Sequence, residues 1–335
     1  MIKSQHLLIT RFSALGDVAM LVPVVYSLAK QYPDLRITVL SQDFIRPLFS
    51  SLPSNVDFIG ANVKKDYKGI FGLIRLFKEI KKKNHFTAVA DMHDVLRTKV
   101  LRLLFTLSCV KTKHIDKHRS GKKALCRSNN KRFAQQPTSF DNYKEVLSKL
   151  GYSVTLDFDS IIPVDQQVAK DVNSIGIAPF AAHKGKIYPL EKMSEVIRLL
   201  IAKGKKIYLF GGGKGEMETF HNWQDTFGND NVVVVGDIIK KDLLAEIRLM
   251  SSLSCMISMD SANQHLASLC GTRVVSIWGA THPFAGFKAY GQSDDDCVQL
   301  EMPCRPCSVF GNKPCVFGNY PCLSGISPQS IVNKI

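Results

Sequence analysis

Short apolar runs bounded by glycine, proline and polar residues recur along the chain. Most are followed by longer segments whose apolar positions fall three and four apart. In the first half, Leu7–Phe12, Ile37–Leu40, Val56–Gly60 and Phe86–Ala90 read as buried strands. Ala19–Lys30, Phe44–Leu52, the amphipathic Phe71–Ile80, Leu96–Leu107 and Tyr143–Leu150 carry the helical spacing. The second half repeats the alternation. Strands are expected at Ile175–Phe180, Lys205–Phe210, Val232–Val235, Ser254–Ser258 and Val274–Gly279, and helices at Leu190–Lys203, Leu243–Met250 and Leu266–Cys270. Strands that alternate with helices predict an α/β protein with parallel sheets covered on both faces. Polar and acidic residues between Gly151 and Asp171 interrupt the series, so one domain is expected over 1–165 and a second over 166–335.

At 335 residues the chain is long enough for two domains with real cores. Ile2–Thr10 is too short and polar for a signal peptide, and no apolar run reaches membrane-span length, which predicts a cytoplasmic protein. Nine cysteines, an odd number, argue against a disulfide scaffold. Placement of charge says more than its total of +15. Residues 61–132 hold 20 Lys and Arg against 5 Asp and Glu, while the remainder holds 24 of each. Such a block attracts phosphorylated ligands, nucleic acid or an anionic membrane face, or serves as a solvated surface. Lys111–Arg132 carries much of it, lacks a strong period and reads as a mobile loop. Few aromatics accompany these cations, so base stacking is poorly supported and phosphate or anionic-lipid contact fits better.

Candidate chemistry lies where strands hand over to helices, since ligands of open α/β sheets bind at the carboxyl ends of strands. Asp260-Ser261-Ala262 sits at one such point, with His265 in the opening turn of the helix that follows. A helix start there offers N–H groups to a phosphate, and Asp260 can accept from hydroxyls; a plain serine cap fits the same residues. Asp17 follows the glycine turn after the first strand, where a carboxylate can act as a general base or simply favour a first helical turn. Lys186 lies in the loop after Ile175–Phe180. The Gly211–Gly213 loop permits close backbone approach, with Glu216 placed for a ribose. Together Lys186, Glu216 and Asp260 suggest a nucleotide-diphosphate site. In the tail, Cys304, Cys307, Cys315 and Cys322 have a spacing that a four-thiolate zinc site can use, but irregular intervals and interleaved prolines fit small buried thiols or a redox-dependent loop better. Asp157-Phe158-Asp159 and Asp294-Asp295-Asp296 superficially look like metal-binding carboxylate motifs, but both lie in turn-like polar segments.

Arg11-Phe12-Ser13-Ala14-Leu15-Gly16-Asp17-Val18, Lys186-Ile187-Tyr188-Pro189, the Gly212–Glu216 loop, Asp260-Ser261 with His265-Leu266-Ala267, and the cysteine-rich end follow one another in a recognisable order. That order resembles the bacterial ADP-heptose:lipopolysaccharide heptosyltransferases over nearly the whole chain. The resemblance implies a GT-B architecture, two Rossmann-like domains with parallel sheets facing a central cleft, acceptor in the first domain and nucleotide sugar in the second. It implies inverting transfer without a metal. By the same resemblance Asp17 is the catalytic base, Lys186 holds the donor diphosphate, Asp260 contacts the donor sugar, and Ser261, Ala262 and His265 form the phosphate-binding turn. Ala262 stands where glycine is usual, Ser261 where threonine is common and Tyr188 where tryptophan is usual, departures that bear on the donor. The basic block, with Ser13, His93 and Arg97, is expected to take an anionic acceptor such as a phosphorylated or Kdo-bearing lipid A core, and to hold the enzyme at the cytoplasmic face of the inner membrane. Beside this stand a GT-B transferase with another donor, a sugar-nucleotide-binding module without turnover, and a nucleic-acid-binding protein built on the basic block.

Overall fold

The computed structural model of the protein describes residues 5–335, so residues 2–4 of the run considered as a leader lie outside the described residues. The chain forms two units. One comprises residues up to Lys117 together with Ser139–Ile161; the other comprises His118–Thr138 and Ile162–Ile335. The division at 165 therefore differs from the structure in two respects: the boundary falls between Ile161 and Ile162, and the 118–138 segment packs with the second unit, not the first.

The first unit runs β1 (His6–Thr10), α1 (Leu15–Gln31), β2 (Arg36–Ser41), β3 (Val56–Gly60), α2 (Gly69–Lys83), β4 (Ala88–Asp91), α3 (Leu96–Leu107) and β5 (Lys111–His114). After α4 (Arg119–Leu125) in the second unit, the chain returns as α5 (Ser139–Leu150). Its sheet has the order β3-β2-β1-β4-β5, and every pair is parallel. β1 lies at the centre and all five of its residues are buried, which explains why Leu7-Leu8-Ile9 is continuously apolar instead of alternating. α1 is buried from Val18 to Val25 and packs against α5. α2 and α3 lean together over Leu8, Leu40 and Val89, using Leu73, Leu76, Ile80, Leu101 and Phe105.

The second unit contributes β6 (Asp171–Ala178), α6 (Leu190–Ala202), β7 (Lys206–Leu209), α7 (Lys214–Phe227), β8 (Val232–Val234), α8 (Val235–Ile238), α9 (Leu243–Ser252), β9 (Leu253–Met259), α10 (Ala262–Leu269), β10 (Arg273–Ile277) and β11 (Cys297–Val298). The sheet order is β11-β10-β9-β6-β7-β8, again wholly parallel. Its core holds the fully buried Tyr188, Met193, Phe220 and Ile257 among others. Among the described residues no helix is long and apolar enough to cross a membrane.

The basic stretch expected to be a mobile loop is ordered instead. Lys111–His114 pairs along β4, and Arg119–Leu125 is helical. Two of its lysines are internal to the second unit. Lys122 is buried with its ammonium 4.2 Å from the Phe287 ring centre. Lys131 Nζ donates to the carbonyls of Pro303, Arg305 and Pro306 at 3.1, 2.7 and 3.2 Å. A lysine so engaged is structural, and periodicity cannot reveal it, because its partners are backbone carbonyls far along the chain.

His6 in β1 is buried, bonds Thr38 Oγ1 at 2.8 Å and lies against Phe86. Burial, with help from Arg36, pushes its pKa down to about 4. The unfolded chain then takes up a proton near pH 6.5 that the folded chain refuses until about pH 4, so stability falls as the pH drops through that window. Urea unfolding of the wild type should lose up to about 1.4 kcal/mol per pH unit from this imidazole between pH 6.5 and 5. His6→Asn should remove this share of the slope and leave that of His93 and His282, whose pKa values burial also pushes down to about 4; an unchanged slope would show that His6 is not charged on unfolding.

Candidate active site

Parallel pairing brings the carboxyl ends of β6, β7 and β9 to one edge of the second sheet, on adjacent strands. Three of the expected residues follow those ends. Lys186 sits in the loop after β6, Glu216 in the first turn of α7 after β7, and Asp260 directly after β9. Lys186 Nζ lies 2.9 Å from Asp260 Oδ2, and the two side chains are only 17% and 5% exposed. Gln264 Nε2 reaches the other oxygen, Oδ1, at 3.3 Å. The lysine stem is sheathed by backbone. A β-carbon added at Gly311, which holds a positive φ of 75°, would strike Lys186 Cγ and Cδ, the latter at 2.8 Å. Beside the pair, α10 begins with Ser261 at its cap. Ser261 places no side-chain hydrogen bond on the helix start; its hydroxyl is 3.3 Å from that of Ser258. Ala262 opens the first turn, and His265 is buried one turn on.

Glu216 has a local task. Its Oε2 accepts the N–H groups of Gly212 and Gly213 at 2.9 and 3.0 Å, which ties the glycine loop to the start of α7. Tyr188 is part of the core: it is fully buried, its hydroxyl donates to the Ile326 carbonyl at 2.9 Å, and burial pushes its pKa up to about 12. A cavity of about 620 Å³ also opens in this unit, lined by Lys131, Phe133, His282, Phe284, Asp294 and Met302; apart from Lys131 of the basic block, none of the expected catalytic, donor or acceptor residues lines it.

In the first unit a second cluster forms after β1 and β4, again adjacent strands. Asp17 stands in the first turn of α1. Its Oδ2 accepts from Arg11 at 2.7 Å and from the Ala14 N–H at 3.1 Å. Arg11 is 5% exposed, donates also to the Met92 carbonyl, and lies 5.6 Å from the ring centre of Tyr143. Burial opposes its charge, but Tyr143 and Asp17 outweigh burial, so the guanidinium's pKa is raised. Tyr143 in turn donates to the Asp17 carbonyl at 3.0 Å. These contacts hold the Asp17 carboxylate in one place while a third of it stays exposed.

His93 lies beside them. Burial, then Arg11, Lys117 and Arg97, push its pKa down to about 4, so near neutral pH it is an uncharged imidazole. Its Nδ1 accepts the Phe12 N–H at 3.4 Å, which leaves the proton on Nε2, 3.4 Å from Ser13 Oγ. His93 thus offers a neutral N–H donor. Arg97 is exposed in the first turn of α3.

Sequence reading gave no role to Arg11, Tyr143, Gln264 or Gly311. Arg11 was within reach: a guanidinium in an otherwise apolar strand must find a partner. The others come from distant parts of the chain and leave no local mark.

The cysteine tail departs from the spacing argument for zinc. Among the described residues no group of three His, Cys, Asp or Glu side chains is arranged to hold a metal. Arg305 organises this segment instead. Its buried guanidinium donates to the carbonyls of Gly279 (2.6 Å), Thr281 (3.0 Å) and Leu300, and to Gln299. Cys322 is buried in the core, which pushes its thiol up to about 11.

The profile of glycosyltransferase family 9 (heptosyltransferase) matches residues 73–320. The chain belongs to glycosyltransferase family 9. This family 9 protein is 24% identical to the lipopolysaccharide core heptosyltransferase OpsX of Haemophilus influenzae over 287 residues, 83% of this chain and 80% of that one. The E. coli heptosyltransferase WaaC with ADP shares its fold, with a TM-score of 0.69 at 18% identity over 98% of both chains. WaaC with ADP-2-deoxy-2-fluoro heptose gives 0.65 at 18% identity over 92% of this chain and 97% of that one. Membership of family 9 makes the protein a glycosyltransferase, and its two parallel-sheet α/β units are those of GT-B heptosyltransferase structures.

The Arg11–Asp17 pair makes an asymmetric prediction. In Asp17→Ala the buried guanidinium loses its carboxylate. In Arg11→Met the partly exposed carboxylate can take up water. Urea denaturation should therefore show the larger loss for Asp17→Ala, about 2–4 kcal/mol, and about 1 kcal/mol for Arg11→Met. The reverse order would refute this account of the pair.

Proposed function

We propose that this family 9 enzyme moves a heptose from ADP-heptose to an anionic, lipid A-linked inner-core acceptor, with inversion at the anomeric carbon. Its place of work is the cytoplasmic face of the inner membrane. The observation that carries the reading is the Lys186–Asp260 pair beside the start of α10. A bound diphosphate can draw the Lys186 ammonium to itself, which frees Asp260 to accept from sugar hydroxyls. The N–H groups of Ser261 and Ala262 and the His265 ring complete the phosphate side. The WaaC structures, one with ADP and one with ADP-2-deoxy-2-fluoro heptose, support the choice of nucleotide and sugar. The name of OpsX supports a lipopolysaccharide core acceptor.

In this reading the acceptor hydroxyl oxygen attacks the anomeric carbon, and the bond from that carbon to the diphosphate breaks on the opposite face. The hydroxyl proton passes to the Asp17 carboxylate, which Arg11 holds in position. ADP leaves with the new charge on its terminal phosphate, next to Lys186 and the α10 N–H groups. His93 Nε2–H and Ser13 serve the acceptor as neutral hydrogen-bond partners; Arg97 and the lysines of the basic block serve its phosphates and carboxylates. Glu216 takes the ribose through its second oxygen while Oε2 keeps the glycine loop closed.

Ala262 favours one rival, a different nucleotide sugar, because its methyl group narrows the space at the phosphate turn where the family resemblance implies glycine. Calorimetry with ADP, GDP, UDP and CMP, without added metal, separates the two. ADP should bind tightest, and Lys186→Ala should weaken it about 10–100-fold, the worth of a charge-assisted hydrogen bond. A preference for another nucleotide moves the donor; no effect of Lys186→Ala removes the diphosphate role of that residue. Asp17→Ala, checked for folding as above, should lower turnover about 10²–10⁴-fold with ADP affinity kept. Full turnover would dismiss Asp17 as the base.

A further inference from the structure

The outward face of α3 is apolar. Leu96, Leu103 and Leu107 are 79%, 58% and 73% exposed. With Val100, which is half-buried and packs partly against the core, they stand at intervals of four, three and four, one stripe at about 100° per residue. The opposite side of the helix, Thr98, Leu101 and Phe105, is the side that packs into the core. Arg97 and Lys99 border the stripe on its two flanks. α2 packs beside α3, with Phe77 and Phe105 edge to face at 4.9 Å. Its own outward row begins with Phe71, 84% exposed, and continues with Arg75, Lys78 and Lys82 at the same helical spacing. One helix therefore presents leucines and its neighbour presents cations.

A row of leucines this exposed is not needed for the fold, whose core is complete on the other side of α3. Charge says what covers it. Residues 61–117, all in the first unit, hold 14 Lys and Arg against 5 Asp and Glu. Three of those acids are taken up locally: Asp91 and Asp94 pair with Arg102, and Glu79 with Arg75 and Tyr67. A second copy of the chain would bring the same positive field against this one and be repelled. A nucleic acid would satisfy the lysines and leave the leucines in water. An anionic bilayer satisfies both rows at once, since an amphipathic helix lying in the interface buries its apolar side while basic residues meet the headgroups.

We propose that the outward faces of α2 and α3 dock on an anionic phospholipid bilayer. Leu96, Leu103 and Leu107 enter the boundary between headgroups and acyl chains, and Lys78 and Lys82 meet the phosphates. The proposal deepens the membrane part of the function proposed above and rests on it for its biological setting. It adds that charge alone does not hold the protein there.

Flotation of the full chain with vesicles tests this, using phosphatidylcholine alone and phosphatidylcholine with phosphatidylglycerol. The wild type should float only with the anionic vesicles. Leu103→Ser/Leu107→Ser should weaken binding about tenfold or more, as should Lys78→Glu/Lys82→Glu. Leu103→Trp, which keeps a large apolar side chain, should show a blue-shifted emission on adding anionic vesicles. A serine variant that floats like the wild type would overturn the proposal, as would a wild type indifferent to vesicles. So would a wild-type dimer that the serine variant makes monomeric, which would assign the face to a second copy. Transfer to a deacylated, soluble core acceptor distinguishes this from failure of the heptosyl reading. The serine variant should match the wild type there. If the wild type transfers nothing yet floats with anionic vesicles, the function is wrong and the surface stands.

Discussion

Every strand ladder in both sheets is parallel, and the sites depend on that constraint. Parallel neighbours require a crossover, so each strand delivers its carboxyl end and its following loop to the same edge. In the second unit this sets the loops after β6, β7 and β9 side by side. In the first it sets the turn after β1 beside the turn after β4, so that Ser13 and Asp17 lie near His93, about eighty positions away in the chain. The chemistry-bearing residues occupy loops and first helical turns because the strands themselves are filled with buried apolar side chains.

Charges brought into such edges must be paired. Of the pairs that do this, Arg11 with Asp17 and Lys186 with Asp260 differ in kind. Arg11 is locked by Asp17, the Met92 carbonyl and the Tyr143 ring, so it serves as a fixed strut for a carboxylate that stays partly open to solvent. Lys186 and Asp260 are both nearly buried and face each other directly, a pairing that an anionic ligand can compete with. A strut suits a base that must keep its orientation; an exchangeable pair suits a diphosphate that arrives and leaves.

The positive charge of the chain is also divided by structure into different tasks. Lys122 and Lys131 are consumed inside the second unit by an aromatic ring and by three carbonyls. Arg102 is consumed by Asp91 and Asp94. Outward cations remain on α2, beside exposed leucines on α3, where apolar and electrostatic attraction to a lipid surface act together. One basic block in the sequence is thus structural in one part and outward-facing in another.

The sequence by itself determined the layout. Near-continuous apolar runs such as Leu7–Ile9 and Val274–Ile277, interrupted only by the buried Ser276, announce buried parallel strands, because side chains of a doubly covered sheet meet protein on both faces. The handover points that hold Asp17, Lys186 and Asp260 could be read for the same reason: they sit next to those runs, and their character is local. Only the tertiary structure decided what depends on distant neighbours. The 118–138 segment belongs to the second unit because its partners, such as Phe287 and the 303–306 carbonyls, lie far along the chain. The tail is organised by Arg305 and carbonyl oxygens, whose grouping no cysteine spacing reveals. The leucines of α3 look in sequence like any other helical apolar positions. The structure shows that a second set, Thr98, Leu101 and Phe105, already fills the core side, which leaves Leu96, Leu103 and Leu107 facing out. Periodicity counts apolar residues on a helix but does not say which of two stripes the sheet will cover.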